Sequence, residues 1–141
     1  MDNVKAVNSM LALKRLVFEN IQYVCTEVDF TKFPEYEMNF TRTIQSIDNE
    51  NYKVSLSANV WSKEDKKITL VVTLAGYFVC QTDDENVKNA LINENAIAIL
   101  FPYLRSQVSL VTTQPNLSPI IIPPVNIVAM FHSSQDQENN N

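Results

Sequence analysis

Between residues 11 and 81 the chain alternates apolar and polar residues in four successive segments, and this period of two limits what it can fold into. The clearest segment is 52–60, in which Tyr, Val, Leu, Ala and Val alternate with Lys, Ser, Ser and Asn. Such alternation is typical of a strand with one buried face. Residues 38–44 alternate in the same way and are joined to 52–60 through a polar turn, so the two segments predict an antiparallel hairpin.

The first and fourth segments carry additional signals. In residues 11–30 the phase of the alternation changes twice, which predicts one long strand with β-bulges near Glu19-Asn20 and Thr26-Glu27. Bulges protect an exposed sheet edge, so we expect this strand at the border of the sheet. Residues 68–81 are apolar at both odd and even positions, which predicts cover on both faces of the fourth strand or an exposed apolar strip.

Two helices are predicted after the strands. Thr82 and Glu85 have the spacing of a capping box, so a short helix begins there and ends near residue 91. A second start signal at residues 93–95 predicts a longer helix that ends near residue 112. Because proline is costly in a helix interior, Pro102 predicts that the regular part of this helix begins closer to Phe101.

The longer helix is apolar on nearly all sides. Its wider stripe needs more cover than one small sheet provides, so we predict that the stripe is an oligomer interface. This stripe consists of Ile97, Leu100, Phe101, Leu104, Val108 and Val111. A second stripe consists of Ala96, Ile99, Tyr103 and Leu110.

The segment after the longer helix is extended and apolar. Prolines at 115, 119, 123 and 124 exclude helix from residues 114–124, and Leu and Ile side chains lie between them. Residues 125–131 predict a short last helix, and the polar residues 133–141 predict a disordered tail. The chain therefore predicts one domain over residues 1–132, followed by that tail.

Composition excludes several classes of function. The formal net charge of −5, from 16 acidic and 11 basic residues, argues against nucleic-acid binding. The sequence contains neither a secretory signal nor an apolar run of about 18 residues, so we expect a cytoplasmic protein without membrane insertion. Gly76 is the only glycine, which excludes the Gly-rich loops that bind nucleotide phosphates.

Candidate catalytic and metal-binding residues are scarce. His132, the only histidine, lies near the polar C-terminus, where neither a triad nor a metal site can form around it. Cys25 and Cys80 lack a C-x-x-C context and predict two reduced thiols packed in strands. We therefore predict no catalytic residue, no metal site and no cofactor, and an enzyme is the weakest interpretation.

Two short runs of residues together resemble a known family. The helix segment Ile99-Leu100-Phe101-Pro102-Tyr103-Leu104-Arg105 is followed by Pro123-Pro124-Val125-Asn126, and the pair resembles the SecB export-chaperone family, whose members carry a similar Leu-Phe-Pro-Tyr-x-Arg helix and a similar Pro-Val-Asn. The run from Arg15-Leu16 to Ile21-x-Tyr23 is similar to the family's first strand. The resemblance implies an α+β subunit with a four-stranded antiparallel sheet followed by helices, assembled as a dimer of dimers.

The resemblance also implies an activity and a site. SecB-like proteins are ATP-independent holdases that bind unfolded polypeptides in apolar grooves. Carried over by position, the client-binding candidates are Ile21, Tyr23, Phe40, Leu117, Ile120, Ile122, Met130 and Phe131. One alternative is a SecB-like chaperone of a toxin-antitoxin system. The alternative from another class is a structural or adaptor oligomer that binds no client because its apolar surface is entirely buried in subunit contacts.

The expected partner differs from that of the export chaperones. In those proteins, acidic residues on the first and fourth strands form the docking surface for the SecA translocase. The corresponding places here hold Asn20 and Val24 on the first strand, and Val71 or Val72 on the fourth. The sequence therefore predicts weak or absent SecA binding, with client holding unaffected.

Overall fold

The computed structural model describes residues 10–132. Its strands are β1 (Leu11–Cys25), β2 (Tyr36–Ser46), β3 (Asn51–Ser62) and β4 (Ile68–Cys80). They form one antiparallel sheet in the order β1-β4-β3-β2, which confirms the predicted sheet of four strands. Both β1 and β2 are edge strands, as expected for β1.

The course of β1 is partly as predicted. Its register with β4 shifts between Phe18 and Asn20, where a bulge was expected, and also between Leu13 and Arg15, where none was. The bulge predicted near Thr26-Glu27 is wrong, because the strand has already ended at Cys25. Glu27 adopts a φ of 50°, in the left-handed region, and the chain leaves the sheet there.

Three helical elements follow the sheet. The first is α1 (Glu85–Ala90), which continues through a π-helical turn, Leu91–Asn95, into α2 (Ala96–Val111). Residues 127–132, the last that the structure describes, are also helical and are called α3. The fold is therefore α+β, with the helices after the sheet, as predicted.

The capping signals were misassigned. Asp84, not Thr82, is the N-cap of α1, and its Oδ1 accepts from the amides of Asn86 and Val87 at 3.0 and 3.3 Å. The Thr82 hydroxyl oxygen accepts from the Asp84 amide, and Glu85 is the first residue of the helix. The longer helix does begin directly after Asn95, as predicted, but Asn95 makes no capping bond with its side chain, because the chain is already helical through the preceding π-helical turn. A carboxylate two residues after the threonine is the better N-cap acceptor.

Pro102 lies well inside α2, so the prediction that regular helix begins near Phe101 is wrong. A proline in a helix interior leaves the carbonyl four residues earlier, here that of Ala98, without its donor. Both residues lie on the exposed side of α2, where water can reach this carbonyl. The cost of the proline is lower there than it would be in the core.

The core lies between the inner face of the sheet and α2. This inner face carries alternate residues of β3 and β4, among them Leu56 and Leu74, and α2 covers it with Leu100 and Leu104, all fully buried. The opposite, outer face of the sheet is covered by no helix within residues 10–132. The predicted cover of β4 is thus present on one face only.

The single glycine permits the close approach of α2 to the sheet. A Cβ atom at Gly76 would lie 2.6 Å from Leu100 Cδ2 and 2.8 Å from the ring of Phe78. Leu100 is fully buried and Phe78 nearly so, which leaves neither side chain much room to yield. The position therefore requires a residue without a side chain.

We expect Gly76→Ala to lower the free energy of unfolding by about 1–3 kcal/mol, the usual cost of overpacking a core. Chemical denaturation measures this change. The double variant with Leu100→Ala should be less destabilised than the sum of the two single variants, because the leucine atoms that meet the new methyl group are gone. If the changes in unfolding free energy of the two single variants simply add, or if Gly76→Ala leaves this free energy unchanged, the close approach of α2 to the sheet is contradicted.

Candidate functional site

Three large apolar side chains lie exposed at one end of the sheet. Phe30 and Phe33, in the loop between β1 and β2, are 68% and 95% exposed, and Ile121, in the segment between α2 and α3, is 69% exposed. They line a cavity of about 270 Å³. We call this cavity the aromatic cleft; its apolar wall consists of Phe30, Phe33, Pro34, Tyr36, Leu117, Pro119 and Ile121.

A second cavity, of about 340 Å³, lies on the other side of the same loop. Phe33 and Pro34 line both cavities, so this loop separates them. Charged side chains surround the second cavity, including Asp29 and Lys67. The amide and hydroxyl of Thr31 donate to the Asp29 carboxylate at 2.9 and 2.6 Å, and these bonds lower the pKa of Asp29. The loop that carries the phenylalanines is therefore ordered by its own polar contacts.

The extended segment between α2 and α3, here called the crossover, is fixed by side chains of α2. Arg105 donates two hydrogen bonds to the carbonyl of Ile122, at 3.1 and 2.9 Å. Ser109 donates to the carbonyl of Ile120 at 3.1 Å, and the hydroxyl oxygen of Thr112 accepts from the Ile120 amide at 2.8 Å. These bonds decide which way the isoleucines point.

The crossover points Ile120 and Ile122 inward, where they are only 2% and 1% exposed. Both were predicted client-binding residues, but the structure places them in the core instead. Ile121 lies between them and faces outward because successive residues of an extended chain point to opposite sides. Ile121 was not among the predicted residues, because three consecutive isoleucines do not indicate which of them are buried.

The other predicted client-binding residues lie in three places. Leu117 lines the aromatic cleft. Ile21 is exposed on β1, and Tyr23 is half-buried there: Gln114 donates to its hydroxyl at 2.9 Å, and burial together with Cys25 raises its pKa to about 12. The remaining three lie along β2 and α3: Phe40, Met130 and Phe131.

The six residues predicted as an oligomer interface pack inside this subunit. Ile97, Leu100, Leu104 and Val108 have no exposed surface, Phe101 is 7% exposed, and Val111 is half-buried. The wider stripe of α2 therefore covers the chain's own sheet, which corrects that assignment. In the second stripe, Ala96 is fully buried, whereas Ile99, Tyr103 and Leu110 face outward and are called the exposed stripe.

The β2 edge offers backbone groups to a further strand. Ile47 donates to Asn51 at 2.8 Å, and Lys63 donates to Glu35 at 2.8 Å, both within the β2–β3 register. In an antiparallel pair every second residue bonds to the partner, so the odd-numbered residues of β2 bond to β3. The backbone groups of the even-numbered residues face away from β3, and no residue in 10–132 bonds to them: Tyr36, Met38, Phe40, Arg42 and Ile44.

The outer face of the sheet holds the places of the expected SecA contacts. Asn20 pairs with Thr73, and Val24 with Thr69, both on this face. Val71 lies between these two rows on the same face, whereas Val72 is fully buried on the inner face. Of the two fourth-strand candidates, only Val71 shares this face with Asn20 and Val24, and none of the three residues is acidic.

Both cysteines are free thiols in strands, but the predicted packing holds for Cys80 alone. Cys80 is buried, which raises its pKa, whereas Cys25 is exposed at the end of β1. Within residues 10–132, no three His, Cys, Asp or Glu side chains are grouped so that they could hold a metal ion. None of the helices in this part of the chain is long and apolar enough to cross a membrane.

The fold is that of the SecB-like chaperones. It matches a structure of the SecB-like chaperone of Mycobacterium tuberculosis, in complex with a ChAD peptide from the HigA1 antitoxin, with a TM-score of 0.69 at 16% identity. The match covers 83% of this chain and 91% of that chain. This likeness concerns the architecture of the sheet and helices.

Sequence comparison assigns the family. The chain is 30% identical to the protein-export protein SecB of Neisseria meningitidis serogroup B over 108 residues, 74% of each chain. It is 26% identical to the SecB of Acinetobacter baumannii over 142 residues, 97% of this chain and 93% of that one. The family model for the preprotein translocase subunit SecB matches residues 6–138. The chain belongs to the SecB family.

Proposed function

We propose that this chain is an ATP-independent holdase that binds unfolded polypeptides in the aromatic cleft. The observation that carries the proposal is the exposure of Phe33, next to Phe30 and Ile121, around a cavity of about 270 Å³. Large exposed apolar patches mark binding surfaces, and each buried Å² of apolar area contributes about 25 cal/mol whatever residue supplies it. A shallow apolar cleft therefore accepts clients of many sequences.

The β2 edge extends this binding surface beyond the cleft. Tyr36 lines the cleft and is also the first residue of β2, so a client segment can run directly from the cleft along the strand. The outward backbone groups of β2 would then bond to the client backbone, as in other cases of strand addition. Backbone bonds do not depend on the client's side chains, which suits a holdase.

Assembly as a dimer of dimers in the cytoplasm is part of the proposal. The exposed stripe of α2 needs cover, and the long edge strand β1 exposes Val17 and Val24 on one face and Ile21 on the other. Apolar helix stripes and open edges are the surfaces that symmetric oligomers bury. The subunit contacts then lie on α2 and β1, which leaves the cleft and β2 accessible to clients.

The partner that receives the client is proposed to differ from SecA, because Asn20, Val24 and Val71 replace acidic docking residues. A second candidate function is holding the antitoxin of a toxin-antitoxin system. The fold neighbour from M. tuberculosis supports this candidate, since it was seen with an antitoxin peptide. An antitoxin segment is one kind of unfolded client and would use the same cleft.

We expect the double variant Phe33→Ser and Ile121→Ser to weaken client affinity about a hundredfold or more, and so to suppress client aggregation less well, because about 1.5–3 kcal/mol of burial is lost for each of the two large side chains. Light scattering of an unfolded client without nucleotide measures this. The control is Val87→Ser, which removes an exposed apolar side chain from α1, away from the cleft and from the proposed subunit contacts, and should leave holding intact. If both variants lose the same amount of aggregation suppression, or if neither loses any, clients do not bind in the aromatic cleft.

A pair of prolines tests the β2 edge. Ile44→Pro removes a backbone donor that faces outward, so it should weaken client binding while costing little stability. Thr43→Pro removes a donor to β3 and should cost about 3 kcal/mol of unfolding free energy. Calorimetric client binding and thermal unfolding report the two effects. Normal client affinity in a well-folded Ile44→Pro variant would count against strand addition.

The oligomer contacts are tested by charge insertion. Tyr103→Asp or Leu110→Asp should dissociate the assembly and leave the subunit folded, because both side chains are exposed on α2. Leu104→Asp should unfold the subunit instead, since an unpaired buried charge costs several kcal/mol. Sedimentation velocity and circular dichroism distinguish these outcomes. An unchanged mass for the Tyr103 and Leu110 variants would contradict the proposed interface.

A further inference from the structure

Arg42 is a charged residue on the inner face of an edge strand. It lies opposite Leu56 in the β2–β3 register, two residues after Phe40, whose ring meets that of Phe101 edge to face at 5.7 Å. A charge in such an apolar position is costly unless it is bonded. Its contacts therefore indicate what the residue does.

The Arg42 guanidinium contacts two separate elements. Its Nη1 donates to the carbonyl of Asn93, in the π-helical turn between α1 and α2. Its Cζ lies 4.9 Å from the centroid of the Phe131 ring, on α3. A planar guanidinium can donate in its plane and stack on a ring with its face, whereas a lysine ammonium cannot do both in this way.

The π-helical turn presents a second contact to α3. The residue after Asn93 is Glu94, whose Oε1 lies 2.7 Å from Nε2 of His132. Leu91 and Ile92, on the other side of the turn, are buried and fix it to the core. π-turns frequently occur at functional positions. Asn93 of the turn is thus linked to Phe131 of α3 through Arg42, and Glu94 contacts His132 directly.

We propose that Arg42 is a positioning residue, which fixes α3 and with it the Phe131 ring beside the β2 edge. A client strand added to β2 would place every second side chain on the inner side of the sheet, next to Phe40 and Phe131. If α3 were displaced, this apolar surface would be lost without any change in the cleft. This role rests on the proposed function, since it concerns how the client surface is built.

Amide hydrogen exchange tests the placement of α3 without any client. Arg42→Met keeps the bulk but loses both contacts, and it should speed exchange in residues 127–132 about tenfold while the amides of α2 keep their rates. Arg42→Lys should fall between this variant and the parent. Arg105→Lys is the matched control: it should loosen the crossover at Ile122 and leave α3 unchanged. Unchanged exchange of α3 in Arg42→Met overturns the proposal.

Client binding provides the second readout. Arg42→Met should weaken binding of an unfolded client, measured by calorimetry, and Arg42→Lys should restore it in part. If α3 is loosened but affinity is unchanged, Arg42 does not act in client binding, although the holdase proposal stands. If the parent protein binds no client, the proposed function fails, and the exchange rates still test whether Arg42 fixes α3. If Arg42→Met does not fold, Phe131→Leu removes the same ring contact and should loosen α3 equally.

Discussion

The close packing of α2 against β3 and β4 is the constraint on which the other features depend. It is possible because Gly76 has no side chain, and it buries the wider apolar stripe of the helix within one subunit. With α2 fixed, its polar residues reach the crossover: Arg105, Ser109 and Thr112 bond to backbone groups of Ile120 and Ile122. Because these two isoleucines are held inward, Ile121 is turned outward to the cleft. The exposed surface of the proposed client site is thus a consequence of how the core is packed.

The remaining apolar surface separates into regions with different geometry. The cleft is concave and lined by aromatic and aliphatic side chains, which suits side chains of an extended client. The β2 edge offers backbone donors and acceptors in a regular register without bulges. The bulged β1 edge and the exposed stripe of α2 are better suited to subunit contacts, since bulges discourage addition of an arbitrary strand. Under the proposed function, one small subunit binds clients and copies of itself through separate surfaces.

Much of the fold was predictable because its signals are local and repeated. Alternation in β2 and β3 and the apolar helix gave the correct elements and their order. The misassignments come from tertiary choices that local patterns do not contain. Both stripes of α2 are apolar, and only packing decides that the stripe with Leu104 faces inward and the one with Tyr103 outward. The exposure of Phe33 had no signal in its own segment, since an aromatic residue in a loop is equally compatible with burial. Position-by-position likeness to the SecB family selected Leu117, which lines the cleft, but it also selected the buried Ile120 and Ile122 and not the exposed Ile121.

Site-resolved amide hydrogen exchange of β2 tests the central claim, that an extended client adds to this edge next to the aromatic cleft. In the free protein the amides of Tyr36, Met38, Phe40 and Ile44 should exchange fast, because they face away from β3, whereas those of the odd-numbered residues should be protected. Binding of an unfolded client should slow exchange at these even-numbered positions and leave the odd-numbered ones as they were. If a client is held in solution while the even-numbered amides still exchange at their free rates, clients bind elsewhere and the account is wrong.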